Sequence, residues 1–243
     1  MSKNQVSPRK ALYGLGMALL VGCVFFAPTP AISSSPTTAS EALEALQEGN
    51  QRFVNDERTM PHLSAERIAE TADGQSPFAT IVTCADSRVP PEHLFDQGIG
   101  DLFVTRVAGN VCDTDTLGTL EYGVKHLGTP LLVVMGHSSC GAVHAVVENA
   151  AVGGNIPALV DNIVPAVQRV REKHPELSGE ELLAAAVQEN VWRGIEDVFH
   201  SSPTTLELAK SGDLLVVGAV YDLATGKVEF LGEHPEQEKW LEE

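Results

Sequence analysis

Four apolar runs of strand length, at 78–83, 101–106, 130–135 and 214–221, constrain this chain more than any other feature. None shows the polar–apolar alternation of a sheet with one wet face, so each is expected to be buried on both sides. Helical patterns lie between them, at 116–127, 141–149, 156–173 and 179–199. Two more precede the first run. One covers 42–54, with Leu43, Leu46 and Phe53 at helical spacing, Ser40 placed to cap it and Glu44 near its start; the other lies at about 64–71. A fifth short run, 227–231, follows the turn Ala224-Thr225-Gly226 and is expected to fold back on the fourth. Strands alternating with helices give an α/β fold: a mainly parallel central β-sheet with an antiparallel edge strand, flanked by helices.

The 243 residues suffice for one sizeable core and show no internal repeat. The first 40 residues differ from the rest. A basic stretch ending at Arg9-Lys10 precedes an apolar run from 11 to 27, the layout of an export signal. Residues 1–31 are therefore expected to be a signal peptide or lipoprotein signal, 32–40 a Ser/Thr/Pro-rich tether, and 41–243 the catalytic domain. Leu20-Val21-Gly22-Cys23 resembles a lipobox, which would make Cys23 a lipid anchor; cleavage near Ala31 would release a soluble protein, and an uncleaved anchor is the third reading. The expected location is the periplasm or cell envelope, with a thylakoid lumen as the other compartment that uses such signals. The net charge is −17, and the only charged residues among the first 40 are Lys3, Arg9 and Lys10, so the remainder is more acidic still. Such a surface repels phosphate backbones, and a nucleic-acid partner is not expected.

In parallel α/β sheets, ligands bind outside the carboxyl ends of the strands. The first run stops at Cys84, and the third leads through Gly136 into His137-Ser138-Ser139-Cys140. Two strand ends thus deliver two thiols and an imidazole to one rim. Zinc takes those donors in a tetrahedron, and three protein ligands with one position left for water is the catalytic pattern. A disulfide between Cys84 and Cys140, or a structural zinc with Asp86 as fourth ligand, are the competing readings. Cys112 is expected to be a small buried hydrophobe.

Cys84-Ala85-Asp86-Ser87-Arg88-Val89-Pro90 and His137-Ser138-Ser139-Cys140-Gly141-Ala142 resemble the two signature motifs of β-class carbonic anhydrases, and the resemblance extends over about 41–231. It implies a zinc ion on Cys84, His137 and Cys140, with Asp86 and Arg88 as a paired dyad and Asp86 joining the metal only in a closed state. It further implies Gln75 as a donor to a substrate oxygen, and Phe103, Ala108 and Tyr122, with the backbone at Gly141, as the wall that receives carbon dioxide. Ala108 stands where plant-type members have valine, and Ile81 where some bacterial members have a tryptophan lining a noncatalytic bicarbonate site, although Arg106 is retained. Family members pair through the sheet and the N-terminal helices, which implies a homodimer or homotetramer.

The activity so implied is the reversible hydration of carbon dioxide to bicarbonate and a proton by zinc-bound hydroxide, a lyase reaction. Two thiolates offset the zinc charge and Asp86 adds another negative charge, so the bound water is less acidic than on a tris-histidine site. Arg88 compensates by holding Asp86 in a bidentate pair. The alternatives are a carbonyl sulfide or carbon disulfide hydrolase on the same scaffold, or a catalytically weak, zinc-stabilised envelope protein.

Overall fold

The computed structural model describes residues 35–242. The signal segment 1–31, Cys23 and the start of the tether lie outside the described residues. Helices α1 (Ala39–Val54) and α2 (Ala65–Thr71) precede strand β1 (Ala79–Thr83), helix α3 (Pro91–Leu94) and strand β2 (Leu102–Arg106). A 3-10 turn at Ala108–Asn110 leads to α4 (Thr114–Glu121), which passes into a π-turn at Tyr122–His126 before β3 (Leu131–His137). Five helices follow: α5 (Gly141–Val147), α6 (Ile156–Val160), α7 (Val164–Lys173), α8 (Gly179–Ser201) and α9 (Pro203–Lys210). Strands β4 (Leu215–Tyr221) and β5 (Val228–Gly232) and helix α10 (Gln237–Glu242) come last.

The five strands form one open sheet in the order β2-β1-β3-β4-β5. The first three pairings are parallel and β5 runs antiparallel to β4. From β1 the chain turns to β2 on one side, then crosses to β3 on the other. The carboxyl ends of β1 and β3 therefore flank the crevice where the strand order reverses, the place such sheets bind ligands. Every residue of β1 and of β3 is buried, as expected for central strands covered on both faces. β2 departs from that expectation. It has one neighbour only, so its residues are half-buried and Arg106 is exposed.

One face of the sheet, with Ile81, Val133, Met135 and Ala219, packs against Ala42 and Leu46 of α1. The other, with Val82, Val134 and Val216, packs against Val191, Ile195 and Val198 of α8. Each fully buried aliphatic side chain contributes about 1.5–3 kcal/mol. Asn50 ties α1 to the rest: its amide nitrogen donates to Leu94 O at 3.1 Å and Gly226 O at 3.0 Å, and its oxygen accepts from Val228 N at 2.9 Å.

Several element boundaries differ from the sequence reading for local reasons. Helix α1 begins at Ala39 and is capped by Thr38, not Ser40, because Glu41, not Glu44, closes the reciprocal capping box on Thr38. The helix expected over 156–173 is two helices. Pro165 has no N–H to continue the ladder, so α6 ends and α7 restarts with Pro165 in its first turn. The helix expected from 116 begins at Thr114 under an Asp113 cap. It then loosens into a π-turn, with Leu127 N donating to Tyr122 O at 3.1 Å. Helices α3, α9 and α10 add to those expected; α9 is started by Ser202, whose hydroxyl accepts from Thr205 N.

Candidate metal centre

Cys84 directly follows β1, and its loop is pinned to the end of β2: Val107 N donates to Thr83 O at 3.0 Å and Ala85 N to Val107 O at 3.2 Å. His137 is the last residue of β3 and is fully buried. The turn after it is fixed by β4 and its loop, since Ser138 N donates to Tyr221 O at 2.8 Å and Leu223 N donates to Ser138 Oγ at 2.9 Å. Ser139 takes a left-handed φ of 53°, which brings Cys140 back to the head of α5.

The donor atoms of Cys84, His137 and Cys140 all lie within 4.8 Å of one another. The two sulfurs are 4.0 Å apart. Two thiolates on one tetrahedral zinc, each at about 2.3 Å, sit about 3.8 Å apart, so the spacing fits. His137 Nδ1 lies 2.9 Å from Ser138 O, and a carbonyl can only accept, so this nitrogen carries the proton. That leaves Nε2 with a free lone pair, and among the described residues this buried nitrogen has no hydrogen-bond partner. An orphaned buried acceptor beside two thiols is what a metal would satisfy. The thiols are unequal: their mutual contact, in which either sulfur can donate, pushes the Cys84 thiol well down and the Cys140 thiol up. Burial opposes charge on His137, but the Cys84 sulfur beside it outweighs that and raises its pKa.

Asp86 lies next to this cluster, with Oδ2 3.9 Å from His137 Nε2. Arg88 holds it three times. The Arg88 backbone N and Nε donate to Oδ1 at 2.9 Å each, and Nη2 donates to Oδ2 at 2.7 Å. These bonds keep the Asp86 carboxyl well below the usual carboxylate range despite some burial. The side chain is thus a fixed anion whose free edge faces the cluster.

A sequence model of the family described as carbonic anhydrase matches residues 79–228. Carbonic anhydrase 2 of Mycobacterium tuberculosis is 38% identical over 195 residues, covering 79% of this chain and 92% of its own. Carbonic anhydrase of Mycolicibacterium smegmatis is 36% identical over 192 residues, 77% of this chain and 91% of its own. The crystal structure of the β-carbonic anhydrase CafA of Aspergillus fumigatus superposes with a TM-score of 0.67 at 26% identity, covering 84% of this chain and 94% of that one. The chain belongs to the β-class carbonic anhydrases. One of two tetrameric β-carbonic anhydrases from Sordaria macrospora is also similar, with a TM-score of 0.64 at 27% identity over 79% of this chain and 96% of that one.

This β-carbonic anhydrase gathers Cys84, Asp86, Arg88, His137 and Cys140 at one rim. Ala108 opens the 3-10 turn beside it, and Gly141 opens α5 with free space around its Cα. Gln75, Phe103 and Tyr122 lie elsewhere. Phe103 pairs with Thr80, about 13 Å along the strand from Cys84. Tyr122 stacks at 5.8 Å on Phe103 and is 48% exposed, and Gln75 is exposed in the loop leading into β1. One copy of the chain does not bring these three to its own cluster. The sequence reading missed Gly109, whose N–H donates to Cys84 Sγ at 3.3 Å. The pair Gly109-Asn110 just past a strand is a signal for left-handed backbone, and both have positive φ. Arg106 also holds the loop, donating from Nε to Cys84 O at 3.1 Å and from Nη2 to Asp86 O. Cys112 is buried, its thiol donating to Asn110 O at 3.9 Å, and burial pushes that thiol up.

Proposed function

We propose that this chain catalyses the reversible hydration of carbon dioxide at a zinc ion held by Cys84, His137 and Cys140. The observation that carries the reading is the convergence of these three donors beside the Arg88-clamped carboxylate of Asp86. Zinc held there supplies the acidity that makes water a nucleophile near neutral pH. The protein's own groups do the rest. The unpaired edge of Asp86 accepts a hydrogen bond from the O–H of the attacking water and so turns a lone pair of that water toward carbon. Arg88 keeps Asp86 ionised and prevents it from swinging toward His137 and the sulfurs. Gly109 and Arg106 steady Cys84 and the Cys84–Asp86 backbone, so the acceptor and one ligand move as a unit.

Gln75, Phe103 and Tyr122 complete the site in an oligomer, each copy lending them to a neighbour. Three observations support this: their distance from their own cluster, the half-buried edge strand β2, and exposed Met60, Leu63 and Ile99. The tetrameric relative is consistent with it. Residues 1–31 direct export, a reading supported by the basic-then-apolar pattern and tested by cell fractionation with and without globomycin. Protein confined to the cytoplasm would contradict it, and unchanged migration with globomycin would rule out lipidation at Cys23.

Stopped-flow hydration of carbon dioxide by purified, zinc-loaded protein tests the function. Activity that rises above neutral pH is expected. Zinc-loaded protein that hydrolyses carbonyl sulfide or carbon disulfide but leaves carbon dioxide untouched would overturn it.

A further inference from the structure

The buried face of α8 is apolar at nearly every position: Leu182, Leu183, Ala186, Val187, Val191, Ile195, Val198 and Phe199. Asn190 interrupts it at 5% exposure. A primary amide in such a stripe is costly unless it is hydrogen-bonded. Its nitrogen donates to Gly109 O at 2.8 Å. Gly109 in turn donates its own N–H to the Cys84 sulfur. The two peptide groups that flank the Gly109 Cα are therefore held from opposite sides, one by Asn190 and one by the thiol.

Gly109 needs such a fixture. Its φ of 73° is left-handed, and a Cβ there would meet Ile163 Cδ1 at 2.6 Å and Ala142 Cβ at 3.2 Å, so a side chain would be strained and would have to displace Ile163. Glycine is also the residue least able to hold its own conformation. The same helix reaches the second ligand strand, because Val187 and Val191 pack on Gly136, immediately before His137. α8 thus reads the backbone next to both Cys84 and His137.

We propose that Asn190 is a positioning residue for the metal thiolate of Cys84, acting through Gly109. It holds the Gly109–Asn110 peptide by its carbonyl and so fixes the glycine's backbone, which keeps the N–H of the preceding Ala108–Gly109 peptide on the sulfur. That bond withdraws electron density from the thiolate and fixes the direction of its remaining lone pairs. Outer-shell partners of this kind change metal affinity by about 10–100-fold when removed. The inference rests on the zinc reading above.

The test compares wild type, Asn190→Ala and Val198→Ala, the last a core truncation on α8 that leaves the relay intact. Zinc content is measured first, then the rate of zinc loss to excess chelator and the thiolate-to-metal absorption band of the cobalt-substituted proteins. Asn190→Ala is expected to release zinc about tenfold faster and to shift the band, while Val198→Ala matches wild type in both. Wild-type behaviour of Asn190→Ala would overturn the inference, as would an equal effect of Val198→Ala. Wild-type protein that binds no zinc would overturn the metal reading and the relay with it. Should Asn190→Ala not fold, the cadmium-113 form of the wild type decides the matter. A scalar coupling between the Gly109 amide proton and the metal is expected, and its absence overturns the relay.

Discussion

Replacing Asp86 by asparagine exchanges one carboxylate oxygen for an NH₂ group of nearly the same shape and reverses the polarity of the edge that faces the reacting centre. Oδ1 receives two donors from Arg88, the backbone N and Nε, whereas Oδ2 receives one, Nη2. An amide has one oxygen to offer. Placing it at the Oδ1 position keeps two bonds, so the NH₂ takes the Oδ2 position. There it opposes Arg88 Nη2 and points along the edge that lies 3.9 Å from His137 Nε2. An acceptor for the nucleophile becomes a donor. Groups that position or take up a proton in the transition state contribute about 100–10,000-fold. Since part of the Arg88 clamp survives, Asp86→Asn is expected to lower kcat/KM about 100–1,000-fold, with kcat bearing most of the loss. The assay is stopped-flow hydration with an indicator dye, paired with metal analysis. Full zinc occupancy with activity within about threefold of wild type would refute the reasoning, because it would mean that Asp86 makes no bond that strengthens in the transition state.

Asn50→Ala removes three hydrogen bonds that join α1 to α3 and the β4–β5 turn, at about 1 kcal/mol each. It is expected to lower Tm by about 6–12 °C in calorimetry while the zinc content is unchanged; an unaltered Tm would contradict it. Burial pushes the Asp96 carboxyl up, but donation from Thr59 N, Arg52 and Met60 N overrides this, and its pKa is lowered on folding. Ionised Asp96 therefore adds stability at pH values above the unfolded carboxylate range, about 3.9, and that contribution is lost as pH falls through the lower folded value. The Tm difference between wild type and Asp96→Asn is expected to shrink as the pH is taken below about 4, and a constant difference would contradict the sign.

The rim of the site was legible because the sequence marks it twice. Runs 78–83 and 130–135 are apolar without alternation, the signature of strands covered on both faces, and the candidate ligands stand at or just past their carboxyl ends. Asp86 and Arg88 were legible through the resemblance of their motif to that of the family, and the structure pairs them across a tight turn. What stayed hidden depends on contacts between distant segments. The bond from Gly109 to Cys84 comes from a backbone amide that carries no side-chain label, and Asn190 is 81 residues from the carbonyl it holds. Phe103 stands near the amino end of β2, opposite Thr80, while Gln75 precedes β1 and Tyr122 follows α4; their separation from the ligands is set by strand register and loop position, which the apolar run 101–106 does not display. The break before Pro165 was present as a signal, but the apolar spacing on either side of it masked the interruption.

Zinc K-edge absorption spectroscopy on the purified protein tests the metal centre itself. The account predicts one zinc per chain with two sulfur neighbours at about 2.3 Å, one imidazole nitrogen at about 2.0–2.1 Å and one further light atom from solvent. A shell without sulfur, or a metal-free protein in which Cys84 and Cys140 are joined to each other, would contradict it.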